Sequence, residues 1–240
     1  MPPGMHSQAH ALTSALTGTA ALALIAIVYW IRGSRDQIPP ARMAAFLGGL
    51  SVLWVALFSP LVVLDHRLLT FHMLKHLLLM TIGPPLILCG LPARWRRRCP
   101  VKALVCWLVG AATVILWHVP AVFELALNST AWHDLELASF LSAGALFWWP
   151  VMAADRSFIP LYLFAATFPC DALSAFLAFC DRIVYPHYLT AAPLFHLSPM
   201  EDQQLAGALM WVVVTIAYLI PAVVITVQIL GPRITEEAKA

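Results

Sequence analysis

The sequence predicts an all-α polytopic membrane protein, a seven-transmembrane-helix bundle forming one integral membrane domain over residues 1–240. Its N-terminus is expected outside and its C-terminus in the cytoplasm. Composition comes first: 61% of the 240 residues are hydrophobic and 11% are charged, where a soluble domain carries about 25% charge. Run length comes second. Several separate apolar stretches each reach the roughly 20 residues a helix needs to cross a hydrocarbon core about 30 Å thick. The runs are continuous, whereas a membrane β-barrel would show short alternating segments. The third observation is the distribution of Lys and Arg, which assigns the loops to sides.

The segment MPPGMHSQAH holds His6 and His10 but no Lys or Arg. It lacks the positive start of a signal peptide, so residues 11–31 are expected to stay as the first span. The second span is expected over 43–64, with Gly48 and Gly49 allowing close packing and Pro60 bending it. Asp65, His66 and Arg67 then turn the chain into the third span, 71–91, FHMLKHLLLMTIGPPLILCGL. A basic loop, PARWRRRCPVK, leads to the fourth span, 103–118, which ends in Trp117-His118-Val119-Pro120. The connection AVFELALNST is expected to hold an interfacial turn of helix. The fifth span covers 132–152 and the sixth 159–179, the latter with Pro169 and Asp171 inside it. A longer loop carries His187 and His196 before the seventh span, 203–230. No internal repeat or low-complexity tract interrupts this order.

Seven crossings put Arg32, Arg35, Arg42, Arg94, Arg96, Arg97, Arg98, Lys102, Arg156, Arg233 and Lys239 on one side. The other side has Arg67 and Arg182, with Lys75 just inside a helix. The first side is therefore expected to be cytoplasmic. The cluster from Arg94 to Lys102 can also meet anionic lipid headgroups. No nucleic-acid partner is expected. On this topology all nine histidines fall on the outer side, although none of them was used to set it.

His72, His76 and Met80 recur at i, i+4 and i+8, so they form one stripe on the third span. Imidazoles on an apolar membrane helix are costly unless used or paired. Two of them at i,i+4 can aim at one copper, zinc or iron ion, and a thioether would favour reduced copper. The plainer alternative is a pair of interfacial histidines bonding water or headgroups, with Met80 as packing. His118 and His133 flank one outer connection, and sequential helices tend to pack together, so the two can face each other. Glu136 lies three residues after His133. A helix-end histidine and a first-turn acid would explain these positions without a metal. Asp202 opens the last span, where an acid can be a cap. Pro84 has no N–H to give the Met80 carbonyl, so the third span should kink there. Asp171 needs a partner, a structural hydrogen bond or a proton relay. The cysteines include no Cys-x-x-Cys pair. No zincin, serine-nucleophile or phosphate-loop motif occurs, so the chain is not expected to be an enzyme.

The segments FHMLKHLLLMTIGPPLIL, LWHVP, WHDLELASFLSAGALFWWPV and EDQQLAGALMW resemble the CtaG family of cytochrome c oxidase assembly factors, associated with caa(3)-type oxidases. The resemblance implies a multi-pass protein of the bacterial inner (plasma) membrane that matures a haem–copper oxidase through copper supply. Its implied partners are the oxidase catalytic subunit, other copper chaperones and membrane lipid. Its motif residues fall on His72, His76, His118, His133 and the acid Asp202. Where family members often carry a second histidine, four after His133, this chain has Leu137.

Together these readings predict a copper site at the outer ends of spans three, four and five. Its ligands are His72, His76, His118 and His133, with Met80, Glu136 and Asp202 as auxiliary candidates. Two alternatives remain. A bis-histidine haem protein would use one imidazole from each of two helices, such as His76 and His118. A metal transporter would need polar groups continuing across the bilayer, where only Asp171 and a few hydroxyls are found.

Overall fold

The structure is a computed structural model that describes residues 3–59, 61–92, 101–153, 157–190 and 194–237. The expectations placed on Pro60 and on the side chains of His6, His10, Arg94, Arg96, Arg97, Arg98, Arg156, Arg233 and Lys239 lie outside the described residues and side chains. Every regular element among the described residues is helical. The order is α1 (Pro3–Arg35), α2 (Pro40–Phe58), α3 (Leu61–Leu64), α4 (Leu69–Leu77), a π-helical turn (Leu78–Ile82) and α5 (Gly83–Gly90). Then come α6 (Ala103–Trp117), α7 (Pro120–Asn128), α8 (Thr130–Met152), α9 (Ile159–Phe179), a 3-10 turn (Pro186–Leu189) and α10 (Pro199–Glu237).

Among the described residues, six helices are long and apolar enough to cross a membrane, or seven if α6 and α7, bent by 75° to each other, count as one span. The bend follows from the sequence. His118 closes α6, Val119 is extended, and Pro120 is pre-set for the first turn of a new helix. The expected interfacial turn is thus a full helix, α7. Large apolar side chains such as Leu161, Phe168, Phe179 and Val227 point outward, as lipid-facing residues of a membrane bundle do.

Two boundaries differ from expectation. The first helix runs past both ends of 11–31, because nothing in the flanking residues breaks it. The second span, expected over 43–64 with a bend at Pro60, stops at Phe58. Ser59 is extended at φ −83° and ψ 170°, as the residue before a proline prefers. Its hydroxyl donates to the Val55 carbonyl at 2.6 Å and accepts from the Leu61 N–H at 3.2 Å.

Span three, α4 to α5, runs through the middle of the bundle. Where the sequence predicts a kink at Pro84, a π-helical turn precedes the proline. The Met80 carbonyl accepts instead from the Trp148 indole N–H of α8, at 3.2 Å. Gly144 lets α8 come this close: a Cβ there would lie 2.7 Å from the Met80 Cα and 2.9 Å from Pro84 Cγ. Of the two adjacent glycines in α2, only Gly49 is at a contact, its missing Cβ facing Ile87, while Gly48 faces open space. One apolar core gathers Leu69, Met73, Phe147, Trp148, Leu163 and Tyr218. A second joins Leu53, Ala56, Leu79, Met80, Trp117 and Phe140. The polar cluster described next sits among these residues. Asp171 has a structural partner, the Thr215 hydroxyl of α10, at 3.4 Å.

Candidate metal centre

Helix α4 positions His72 and His76 one turn apart, and both are buried. Their rings meet edge to face with centroids 4.4 Å apart. Phe140 of α8 stacks on His76 at 3.9 Å, and Phe123 of α7 packs on His72 at 4.7 Å. These aromatic walls exclude water and fix both imidazoles.

Glu136 comes in from α8, one turn after His133, and its side chain is 0% exposed. Three imidazole nitrogens surround its carboxylate. His72 Nε2 lies 3.5 Å and His76 Nε2 3.2 Å from Oε1, and His133 Nδ1 lies 3.4 Å from Oε2. Yet both Glu136 oxygens, both nitrogens of His72 and His76, and His133 Nδ1 lack a hydrogen bond. Buried polar atoms are nearly always satisfied. Here an anion and three imidazoles converge within ion-pair distance but outside hydrogen-bond geometry, an arrangement a cation would satisfy. His72, His76 and Glu136 offer ligand atoms that all lie within 4.8 Å of one another. Neutral imidazoles and a carboxylate suit first-row transition metals.

His118, at the end of α6, stands beside this group, its ring centroid 5.8 Å from that of His76. Its Nδ1 lies 2.7 Å from the Val114 carbonyl. A carbonyl only accepts, so Nδ1 carries the proton and Nε2 presents a lone pair. That lone pair faces the Met73 sulfur at 3.2 Å, and a thioether has no hydrogen to donate.

The expected auxiliary residues divide. Glu136 is at the centre of the cluster. Met80 lies in the π-helical turn, its Cε against Gly110, and it lines a cavity together with His76, His118 and Met73; the thioether nearest an imidazole nitrogen among the described contacts is that of Met73. Asp202 is committed elsewhere. Its carboxylate accepts from the backbone N–H groups of Leu69 (2.6 Å) and Thr70 (3.1 Å) and from the Thr70 hydroxyl (2.7 Å). It therefore caps α4, satisfying donors at a buried helix start, with both carboxylate oxygens engaged. Leu137 packs in the apolar cluster around Trp117 and Phe140.

Sequence reasoning missed Met73, which lies off the His72–His76 stripe and is brought into place by His118 across the bundle. It also missed two tyrosines of the loop between α9 and α10. Tyr185 donates to the His118 carbonyl at 3.0 Å and Tyr188 to the Asp65 carbonyl at 2.9 Å. Burial raises both phenols above their ordinary values, so they remain donors. His187 places Nε2 3.2 Å from the His66 carbonyl. The loop thus fastens over the cluster, while His196 stays exposed.

No curated protein matches the chain, and no solved structure does. A family match covers residues 21–231, nearly all of the helices just described. Over those residues the chain belongs to the cytochrome c oxidase caa3 assembly factor family, Caa3_CtaG.

Proposed function

We propose that this protein holds copper for the catalytic subunit of a haem–copper oxidase during its assembly, at the periplasmic face of a bacterial inner membrane, without turning over a substrate. His72, His76 and Glu136 hold the ion, with His133, His118 and Met73 adjoining. The N-terminus lies outside and the C-terminus in the cytoplasm, as the basic residues require. The observation that carries the reading is the buried Glu136 carboxylate ringed by three imidazole nitrogens, none of them hydrogen-bonded. The family supplies the context in which such a site has a purpose. The ion is cargo, and the protein's own part is to strip its water, fix it among imidazoles and keep it from the solvent.

A haem reading fits less well. Phe140 covers one face of His76, and the Met73 sulfur occupies the Nε2 side of His118, where a porphyrin would have to enter. Transport is also disfavoured, because Asp171 is tied to the Thr215 hydroxyl. The test is the copper content of the oxidase purified from cells that carry His72→Ala with His76→Ala. The oxidase should be copper-depleted. A fully metallated oxidase would refute the reading.

A further inference from the structure

Outboard of the buried cluster is a second group of ligating side chains that the copper reading leaves unused. Asp65 and His66 sit in the turn between α3 and α4, and His133 begins the exposed end of α8. One ligand atom from each of the three lies within 4.8 Å of the others. The Asp65 side chain is 0% exposed, and its Oδ1 has no hydrogen bond, although His66 Nε2 lies 3.7 Å away. His66 is 45% exposed, so the group opens to the aqueous side. The turn is held in place: Tyr188 bonds the Asp65 carbonyl, and His187 Nε2 lies 3.2 Å from that of His66.

A cation already touches two of these three residues. The Lys75 ammonium, 1% exposed, pairs with Asp65 Oδ2 and lies 3.1 Å from His133 Nε2. An ammonium can only donate, so Nε2 presents its lone pair and the ring proton sits on Nδ1, facing Glu136. His133 is thus shared, with Nδ1 toward the inner cluster and Nε2 toward the outer group.

We propose that Asp65, His66 and His133 form a second metal site at the mouth of the inner one. It takes a divalent transition-metal ion, and the Lys75 ammonium balances its charge until such an ion displaces it. A carboxylate with two imidazoles favours Cu²⁺ or Zn²⁺, whereas the thioether beside His118 belongs to softer chemistry. The shared imidazole makes the outer group the receiving station for cargo bound inward. This last step rests on the copper reading; the outer site does not.

The experiment uses the full chain in detergent, titrated with Co²⁺ and read by its visible d–d absorption and by equilibrium dialysis. His72→Ala with His76→Ala removes the inner site and should leave one bound Co²⁺ per chain. Adding His66→Ala, a change at an exposed position, should abolish it. Lys75→Met in the inner-site variant should tighten Co²⁺ roughly tenfold, because the competing charge is gone. No Co²⁺ bound by the inner-site variant, or binding indifferent to His66→Ala, overturns the proposal. So does Lys75→Met protein that folds yet binds no more tightly. A wild-type stoichiometry untouched by the loss of His72 and His76 but abolished by His66→Ala would sustain this site while refuting the inner one.

Discussion

The Trp148 indole N–H donates to the Met80 carbonyl across 3.2 Å, taking the place of the N–H that Pro84 does not have. Without it, a buried carbonyl in the middle of span three would have no partner from its own helix. The bond fastens the π-helical turn of span three to α8, the two elements that bring His76 and Glu136 together. Trp148→Phe keeps the ring and removes the donor. It should cost about 1–3 kcal/mol of stability, read as a lower unfolding midpoint in detergent.

Gly144 should tolerate no side chain. A Cβ at that position meets the Met80 Cα and carbonyl oxygen at 2.7 Å, and these are backbone atoms that cannot rotate away. Gly144→Ala is expected to destabilise by about 1–3 kcal/mol and to weaken metal binding, because α8 must retreat from α4. Gly48→Ala, which meets open space, should be close to neutral in the same unfolding assay.

Asp202 provides a test of its capping role. If it caps α4, Asp202→Ala should lower stability by about 1–2 kcal/mol and leave the number of bound metal ions unchanged. A lost equivalent of metal with unchanged stability would make it a ligand.

Glu136 should behave in opposite ways with and without metal. Its buried carboxylate has no hydrogen bond from the protein. Glu136→Gln should therefore stabilise chelator-treated protein by roughly 1–3 kcal/mol. The same substitution removes an anionic ligand and should weaken copper binding. Were Glu136 only half of a structural pair with a protonated histidine, Glu136→Gln would destabilise chelator-treated protein instead. Chemical unfolding with and without a chelator separates the two.

Much of this was legible in the sequence, and the losses have definite causes. The spans announce themselves because lipid requires long apolar runs. His72 and His76 stand out because imidazoles interrupt such a run. Their meeting with His133 and Glu136 follows from ordinary i,i+4 and i,i+3 spacing on two neighbouring helices. Met80 lies within a π-helical turn, whose register a stripe drawn at 3.6 residues per turn does not describe. Pro84 was the one available signal for that turn. The Lys75–Asp65 pair could have been anticipated, since a lysine inside an apolar helix needs an anion nearby. Met73 and the two loop tyrosines could not, because their partners come from segments far away in the chain.

The most direct measurement is the metal content of the purified protein, by mass spectrometry after copper loading and desalting, beside the His72→Ala, His76→Ala double variant. Wild-type protein should retain copper in the buried cluster, and the double variant should lose that equivalent while keeping its helical circular-dichroism spectrum. A folded double variant that retains copper with wild-type stoichiometry and affinity would contradict the account.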